Sequence, residues 1–179
     1  MEITQTLSQN RFRDLFIVLG VSMILALAAW VSIRLPFTPI PICFTAQLVL
    51  FFAVFLGKRG AYATALYVAQ GAMGLPVFSN GGCGLTYMMG PTGGYIIGFL
   101  IATYAVGTLV EKLEEKTPAK IFALLLFGNA LIYIFGLPQL ALLVGGENAL
   151  KFGFYPFIAG DLLKLIIIHR SLKALKFFG

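Results

Sequence analysis

Phe157-Ile-Ala-Gly-Asp-Leu-Leu-Lys-Leu-Ile-Ile-Ile168 is apolar enough for a lipid bilayer except at two positions. Asp161 and Lys164 are three residues apart, so a helix places both side chains on one face. A charge at bilayer depth is costly and usually faces a partner, a cavity or a ligand. The stretch therefore predicts a membrane helix that offers an anion and a cation to a small polar molecule. The alternative is a structural ion pair that ties two helices together.

The composition of the whole chain agrees with this helix. The chain has 179 residues, of which 59% are hydrophobic and 11% are charged, whereas soluble domains average about 25% charged residues. We therefore expect an all-α integral membrane protein that forms a single transmembrane substrate-binding domain over residues 1–179. The first apolar stretch, Leu15–Ile33, has no Ala-x-Ala cleavage site behind it, so we expect it to be retained as a helix.

Six apolar segments predict six transmembrane helices. They cover residues 15–33, 43–56, 61–74, 94–110, 121–137 and 155–169. Several are shorter than the ~20 residues that a straight span needs, and a cavity between helices would explain their length. The apolar segment Leu137–Val144 ends in Gly-Gly-Glu, which favours a short re-entrant or interfacial helix.

The positive charges are distributed unequally between the two faces that six spans would define. Ten of the thirteen Lys and Arg residues fall in the N-terminus, the 57–60 and 111–120 connections and the C-terminus. The opposite face has only Arg34 and Lys151, and Lys164 is inside a span. The positive-inside rule therefore places both termini in the cytoplasm of a multi-pass cell-membrane protein.

The connections on the opposite face differ from ordinary solvated linkers. Leu35–Ile42 contains three prolines, which favour an extended path. Gly74–Gly94 is rich in glycine, and the third connection spans Pro138–Phe154. These segments are long, mostly uncharged and rich in Phe, Tyr and Leu, so we expect lids over a ligand site that faces the exterior.

Several further polar residues are candidates for ligand binding. Gln47 lies in the second span and has donors and an acceptor, although an interhelical hydrogen bond is equally plausible. Asn80 and Gly81 lie in the glycine-rich lid, where Asn-Gly is also a common turn signal and glycine lets backbone approach a ligand. Tyr87 is a candidate at the outer interface. Tyr95 and Tyr155 are placed there too, and tyrosine at that depth is more often an aromatic-belt residue.

Small residues mark the faces on which helices pack. Gly94 and Gly98 form a GxxxG pair, and Ala61, Ala65 and Ala69 repeat every four residues. Both patterns favour packing within the protein. The first helix carries a third stripe, Ser22, Ala26 and Ala29, which is the best candidate for docking an external partner.

Motifs for catalysis are absent from the sequence. His169 is the only histidine, and the chain has no HExxH, GxSxG or P-loop motif. We therefore predict a binding protein rather than an enzyme, without a metal, a cofactor, an ATP site of its own or a nucleic-acid partner. Cys43 and Cys83 both fall in outer-face segments, where two unpaired thiols are more plausible than a disulfide.

Four motifs in this order resemble the BioY family, the biotin-specific S components of energy-coupling factor transporters. They are Leu35-Pro-Phe-Thr-Pro-Ile-Pro-Ile42, Gly74-Leu-Pro-Val-Phe-Ser-Asn-Gly-Gly82, Gly90-Pro-Thr-Gly-Gly-Tyr95 and Gly160-Asp-Leu-Leu-Lys164. The resemblance implies a six-helix S-component fold that captures biotin from outside with high affinity. It also implies docking on an energising module made of a transmembrane coupling subunit and two ATPases.

The resemblance also assigns residues. Asp161 and Lys164 correspond to the family's helix-six Asp and Lys, Asn80 to its lid Asn, and Gln47 completes the polar pocket by analogy. The first helix departs from the family pattern, since it has Ser22-xxx-Ala26 where an Ala-xxx-Ala stripe is common. An S component for another vitamin, a stand-alone biotin facilitator and an intramembrane enzyme are the competing hypotheses.

Overall fold

The computed structural model of the chain describes residues 2–33, 36, 38–175 and 177, with side chains from Phe12 onward. The parts of the sequence predictions that rest on Arg11, Arg34, Leu35, Phe37 and Lys176 lie outside the described side chains.

The described chain is mostly α-helical, as the composition predicts. Its helices are α1 (Glu2–Trp30), α2 (Thr45–Leu56), α3 (Lys58–Ala72), α4 (Gly84–Met88), α5 (Gly93–Lys112), α6 (Pro118–Val144), α7 (Gly146–Gly153) and α8 (Tyr155–Ala174). A 3-10 turn covers Ser79–Gly81, and two short strands, β1 (Ser32–Ile33) and β2 (Ile42–Cys43), pair antiparallel. Each of the six predicted segments lies mostly within one of α1, α2, α3, α5, α6 and α8.

Among the described residues, four helical stretches are long and apolar enough to cross a membrane. They are Phe12–Trp30, Gly93–Lys112, Pro118–Val144 and Gly146–Ala174. The two remaining candidates are shorter: α2 has 12 residues and α3 has 15, or about 18 and 22 Å at 1.5 Å per residue. α2 is nevertheless central, because it packs against α1, α3, α5, α6 and α8. Its apolar side chains are therefore covered largely by protein.

The close packing of α5 on α6 confirms the interpretation of the GxxxG pair as an internal contact. A Cβ atom on Gly98 would lie 2.9 Å from the Cα atom of Ile132, and one on Gly94 would collide with the carbonyl oxygen of Phe135. Only glycine allows the two backbones to approach this closely. The alanine stripe of α3 was predicted less well, since Ala61 is buried but Ala65 and Ala69 are exposed.

The predicted break before Leu137–Val144 is wrong, because α6 continues to Val144 through Pro138. Proline inside a helix removes one backbone hydrogen bond, and membrane helices tolerate this where neighbouring groups satisfy the freed carbonyl. The start of α6 follows the expected chemistry, since the Thr117 side chain accepts a hydrogen bond from the Lys120 N–H and Pro118 occupies the first turn.

The small-residue stripe of α1 faces the interior of the bundle. Ser22 and Ala29 are fully buried, and Ala26 is half-buried. Leu25, on the same side, is also fully buried. The surfaces of Ser22 and Ala29 are therefore covered by the rest of the chain, whereas Ala26 is partly accessible, and the role of this stripe in docking an external partner stays a prediction.

One end of the bundle, here called the basic end, carries interhelical ion pairs. Arg59 lies 3.1 Å from Asp14, and Lys58 lies 3.4 Å from Glu111. Glu111 also accepts a 2.8 Å hydrogen bond from the backbone N–H of Lys58, which begins α3. These contacts bring the 57–60 connection, the polar start of α1 and the end of α5 together, in agreement with the charge distribution in the sequence.

Candidate functional site

Asp161 lies on α8 at the wall of an internal cavity and is 7% exposed. Both of its carboxylate oxygens are engaged by donors from the protein. The Tyr133 hydroxyl, on α6, donates to Oδ2 at 2.6 Å, and the Lys164 ammonium donates to Oδ1 at 3.3 Å. Hydrogen bonds to an ionised acceptor are roughly twice as strong as neutral ones. The carboxylate is therefore held in a fixed position with its charge compensated.

Lys164 has a second partner outside its own helix. Its ammonium donates a 3.1 Å hydrogen bond to the backbone carbonyl of Cys43, at the end of β2. Lys164 therefore ties α8 to the segment that leads into α2. Among the described residues, the cavity wall includes Asp161 and Tyr133 but not Lys164. In this conformation the lysine supports the carboxylate rather than facing the cavity.

The cavity has a volume of about 70 Å³, several times the ~10–15 Å³ that one water molecule needs. Its wall is largely aromatic and aliphatic, with few polar groups. It is formed by Ile40, Pro41, Cys43, Thr45, Ala46, Tyr67, Phe78, Ser79, Tyr87, Thr92, Tyr95, Ile96, Phe99, Ile132, Tyr133, Gly153, Phe157 and Asp161. An apolar pocket with a few convergent polar groups is the usual form of a small-molecule site.

Phe78 closes the cavity from the side of the glycine-rich segment. It is 1% exposed, and its ring packs edge-to-face on Tyr67 at 5.6 Å and stacks on Tyr87 at 5.4 Å. Trp30, at the end of α1, donates from its indole nitrogen to the Pro76 carbonyl at 2.7 Å. The segment is therefore anchored both inside the cavity and on α1, which agrees with the prediction that it packs as a lid.

A second anchor holds the lid on its other side. The amide nitrogen of Gln139, on α6, donates 2.8 Å hydrogen bonds to the carbonyls of Met88 and Gly90. These carbonyls lie at the end of α4 and just before α5. Gln139 follows Pro138 directly, so the part of α6 that sequence analysis separated from the span is the part that fixes the lid.

An outer depression of about 380 Å³ adjoins the cavity and shares Pro41, Tyr87 and Thr92 with it. Asn80 lines this depression and adopts a left-handed backbone conformation, with φ of 59°. Asparagine tolerates that conformation better than most residues. The depression therefore lies between the proline-rich connection and the glycine-rich segment.

Comparison with known proteins decides the family. The family model described as "BioY family" matches residues 3–177, nearly the whole chain. The chain belongs to the BioY family. It is 39% identical over 146 residues to "Biotin transporter BioY" of Thermotoga maritima, covering 80% of this chain and 84% of that protein. It is 33% identical over 165 residues to "Biotin transporter BioY" of Rhizobium etli, covering 87% and 88%.

A solved structure shows the same fold as this BioY-family chain. It is described as the "Crystal structure at 2.1 A of the S-component for biotin from an ECF-type ABC transporter". The two structures match with a TM-score of 0.80 over 96% of this chain and 94% of the other, at 23% sequence identity. The S-component fold is therefore confirmed, whereas the six spans and the cytoplasmic termini stay predictions.

The structure brings together only part of the predicted BioY site. Asp161 and Tyr87 line the cavity, and Asn80 lies in the outer depression. Gly81 has a φ of 74°, a turn conformation that favours glycine. Among the described residues, it lines neither the cavity nor the outer depression.

Gln47 lies apart from the cavity wall. It is completely buried in α2, and neither amide atom has a hydrogen-bond partner among the described residues. Among the described residues it makes no interhelical hydrogen bond, and it does not line the cavity. Its role as a ligand residue stays a prediction.

Tyr95 and Tyr155, both predicted at the outer interface, differ in their surroundings. Tyr95 lines the cavity and donates to the Gly153 carbonyl at 3.1 Å, whereas Tyr155 is 61% exposed, as expected of a belt residue. Cys43 and Cys83 are both free thiols.

Tyr133, which donates to Asp161 in the cavity wall, was not predicted from the sequence. It lies in the middle of the apolar α6, where its ring looks like core. A hydroxyl buried at that depth needs a hydrogen-bond partner, and this was the available signal. Tyr67 and Phe78 were also missed, because nothing in the sequence distinguishes aromatic wall residues from other apolar ones.

A substitution at Gly71 tests the role of Phe78. A Cβ atom at Gly71 would overlap the Phe78 ring, so Gly71→Ala should push this ring out of its place between Tyr67 and Tyr87. We expect ligand affinity to fall at least about fivefold, or ~1 kcal/mol, with the fold retained. Titration calorimetry in detergent measures this. Gly146→Ala is the control, since nothing lies within 4 Å of that position; equal affinity in the two variants would contradict a closing role for Phe78.

Proposed function

We propose that this chain captures biotin with high affinity and carries it across the cell membrane as the S component of an energy-coupling factor transporter. The observation that supports this most is Asp161, a compensated carboxylate at the wall of an aromatic cavity in a BioY-family chain. The chain belongs to the BioY family, whose members named here are biotin transporters. We therefore assign binding and transport rather than catalysis.

The chemistry of biotin fits the cavity. Biotin has a ureido ring with two N–H donors and a carbonyl acceptor, a thioether ring and a valerate chain with a carboxylate. The Asp161 carboxylate accepts hydrogen bonds, so it suits the ureido N–H groups. The rings of Tyr67, Phe78 and Phe99 suit the thioether ring and the chain. A ligand that left a buried polar group unpaired would lose ~1–3 kcal/mol, which is how such a site selects against near analogues.

Asn80, Gly81 and Gln47 are assigned to the ligand on weaker grounds. Asn80 borders the outer depression through which a ligand would reach the cavity, and a small movement of the lid would bring its amide inward. Gln47 is an unsatisfied buried amide, which is costly unless a ligand, a water molecule or a conformational change supplies a partner.

We further propose six membrane spans, formed by α1, α2, α3, α5, α6 and α8, with both termini in the cytoplasm. The basic end then faces the cytoplasm, as the positive-inside rule requires, and the lid faces the exterior. The short α2 and α3 reach the surfaces through the connections at their ends. Large exposed apolar side chains such as Phe16, Leu27 and Ile134 are then covered by lipid.

The energy for uptake is assigned to a separate module, a transmembrane coupling subunit with two ATPases. This assignment rests on the family and on the absence of a phosphate-binding motif from the sequence. α1 is the proposed docking helix. Because Ser22 and Ala29 are buried, the surface that remains for a partner is Ala26 with exposed neighbours such as Met23 and Leu27.

Uptake in reconstituted cells tests the transport proposal. A biotin-auxotrophic host without any energising module should take up labelled biotin slowly through this chain, and co-expression of a cognate module should raise the rate at least about tenfold. An ATPase-inactive module is the matched control. Full uptake without a module would favour the stand-alone facilitator. Strong competition by riboflavin or thiamine, with none by biotin, would favour another vitamin.

A further inference from the structure

The Tyr133 hydroxyl occupies an acceptor position on the Asp161 carboxylate that a ligand could use. Oδ1 accepts from Lys164 and Oδ2 accepts from Tyr133. Tyr133 and Asp161 both line the cavity wall, whereas Lys164 is not among the described wall residues. Of the two donors on the carboxylate, the tyrosine hydroxyl at Oδ2 is therefore the one that a ligand in the cavity can displace.

Aromatic packing holds the Tyr133 ring in addition to its hydrogen bond. The ring packs edge-to-face between Tyr95 at 6.2 Å and Phe154 at 5.1 Å, with interplanar angles of 81° and 79°. Aromatic pairs favour this geometry. The oxygen atom is thus fixed by packing, while the hydroxyl hydrogen rotates to the best available acceptor.

The two groups together present an acceptor and a donor side by side. Asp161 only accepts, and Tyr133 donates as well as accepts. A cyclic urea presents the complementary pair, an N–H donor next to a carbonyl acceptor. When the ligand N–H takes Oδ2, the tyrosine hydrogen is released and turns to the ligand carbonyl. Every buried polar group then has a partner both before and after binding, so the exchange avoids the free-energy penalty of an unpaired buried group.

We propose that Tyr133 is a specificity-determining residue that recognises the carbonyl of the ligand's ureido group by transferring its hydrogen bond from Asp161 to that carbonyl. This inference rests on the proposed function and adds a residue to it. Lys164 keeps its bonds to Oδ1 and to the Cys43 carbonyl during the exchange. Ligands without an acceptor beside the N–H group gain nothing from Tyr133.

Two ligands separate this role from a structural one. Biotin has the ureido carbonyl, whereas 2-iminobiotin at neutral pH has a protonated guanidinium in its place and offers only donors there. We expect Tyr133→Phe to weaken biotin binding at least about tenfold and 2-iminobiotin binding by less than about twofold. The preference for biotin over 2-iminobiotin should therefore fall at least about fivefold, measured by calorimetry on the purified full chain.

Tyr95→Phe is the matched control, because Tyr95 lines the same cavity but donates to the Gly153 carbonyl. It should change the two affinities by the same factor. If Tyr133→Phe also weakens both ligands equally, or changes neither, Tyr133 is only a structural residue and the inference is overturned. If the wild-type chain binds no biotin, the proposed function fails first and the inference falls with it.

A measurement on the wild-type chain covers the case in which Tyr133→Phe does not fold. Biotin labelled with ¹³C at the ureido carbonyl gives an isotope-edited infrared band for the bound ligand. A band shifted to lower frequency than that of the same carbonyl in an apolar solvent is expected, because the carbonyl accepts a hydrogen bond. An unshifted band would overturn the inference.

Discussion

Asp161→Asn is expected to weaken biotin binding at least about tenfold, or ~1.4 kcal/mol, without unfolding the chain. The amide keeps the shape of the side chain and an oxygen that Tyr133 still reaches. It loses the negative charge, however, and one of its two ends becomes a donor. The ligand N–H groups then meet a weaker acceptor, and Lys164 loses its counterion. Calorimetry on the detergent-purified variant measures the loss.

Lys164→Ala is expected to cause a loss of similar size by another route. It removes the 3.3 Å contact with Asp161 and the 3.1 Å contact with the Cys43 carbonyl, and removing one partner of a buried ion pair is costly. Asp14→Asn is the control, because it breaks the 3.1 Å ion pair with Arg59 at the basic end, away from the cavity. Wild-type affinity in both Asp161→Asn and Lys164→Ala would remove the central assignment of the site.

Gly98→Leu is expected to lower the stability of the folded chain by about 3 kcal/mol. The contact at Gly98 is with the backbone of Ile132, whose Cα and carbonyl oxygen lie 2.9 and 3.0 Å from a Cβ atom placed there. A side chain at this position therefore forces α5 and α6 apart, because backbone cannot yield as a rotamer does. Thermal unfolding in detergent should show a markedly lower midpoint.

Gly20→Leu is the matched control for the packing prediction. Gly20 is an exposed glycine on α1, and nothing lies within 4 Å of a Cβ atom placed there, so the same substitution should leave the midpoint within a few degrees. Ile96, Phe99 and Ile132 lie in the cavity wall near this helix contact, so Gly98→Leu should also weaken ligand binding. Equal midpoints in the two variants would contradict the close packing of α5 on α6.

Sequence reasoning predicted the elements well where composition and charge determine them. The six apolar segments all became helices, and the ion pairs at the basic end agree with the charge distribution. Boundaries were less predictable. Pro138 suggested an end to α6, but proline interrupts only one hydrogen bond of a helix that neighbouring elements stabilise.

Which side of a helix packs against the rest of the chain was the hardest property to predict. Ser22 and Ala29 are small enough for either an internal contact or a partner surface, and only the position of α3 against α1 shows that they are buried. The same limit applies to Gln47, whose amide suited a ligand but lies outside the cavity wall.

The two charged residues of the candidate site were predicted from the sequence, whereas the groups that hydrogen-bond to them were not. Asp161 and Lys164 are conspicuous in an apolar stretch because each charge needs a reason to be there. Tyr133 is 28 residues away from Asp161 in the chain, and no local pattern connects them. The carbonyl of Cys43 was equally hidden, since any backbone carbonyl could have been the second partner of Lys164.

Equilibrium binding of biotin to the detergent-purified chain alone, measured by calorimetry, tests the central claim most directly. The cavity is formed by one chain, so we predict one-to-one binding with nanomolar affinity, lost in Asp161→Asn. A folded protein with a cooperative thermal transition that binds no biotin would contradict the assignment of Asp161 and its cavity as a complete biotin site.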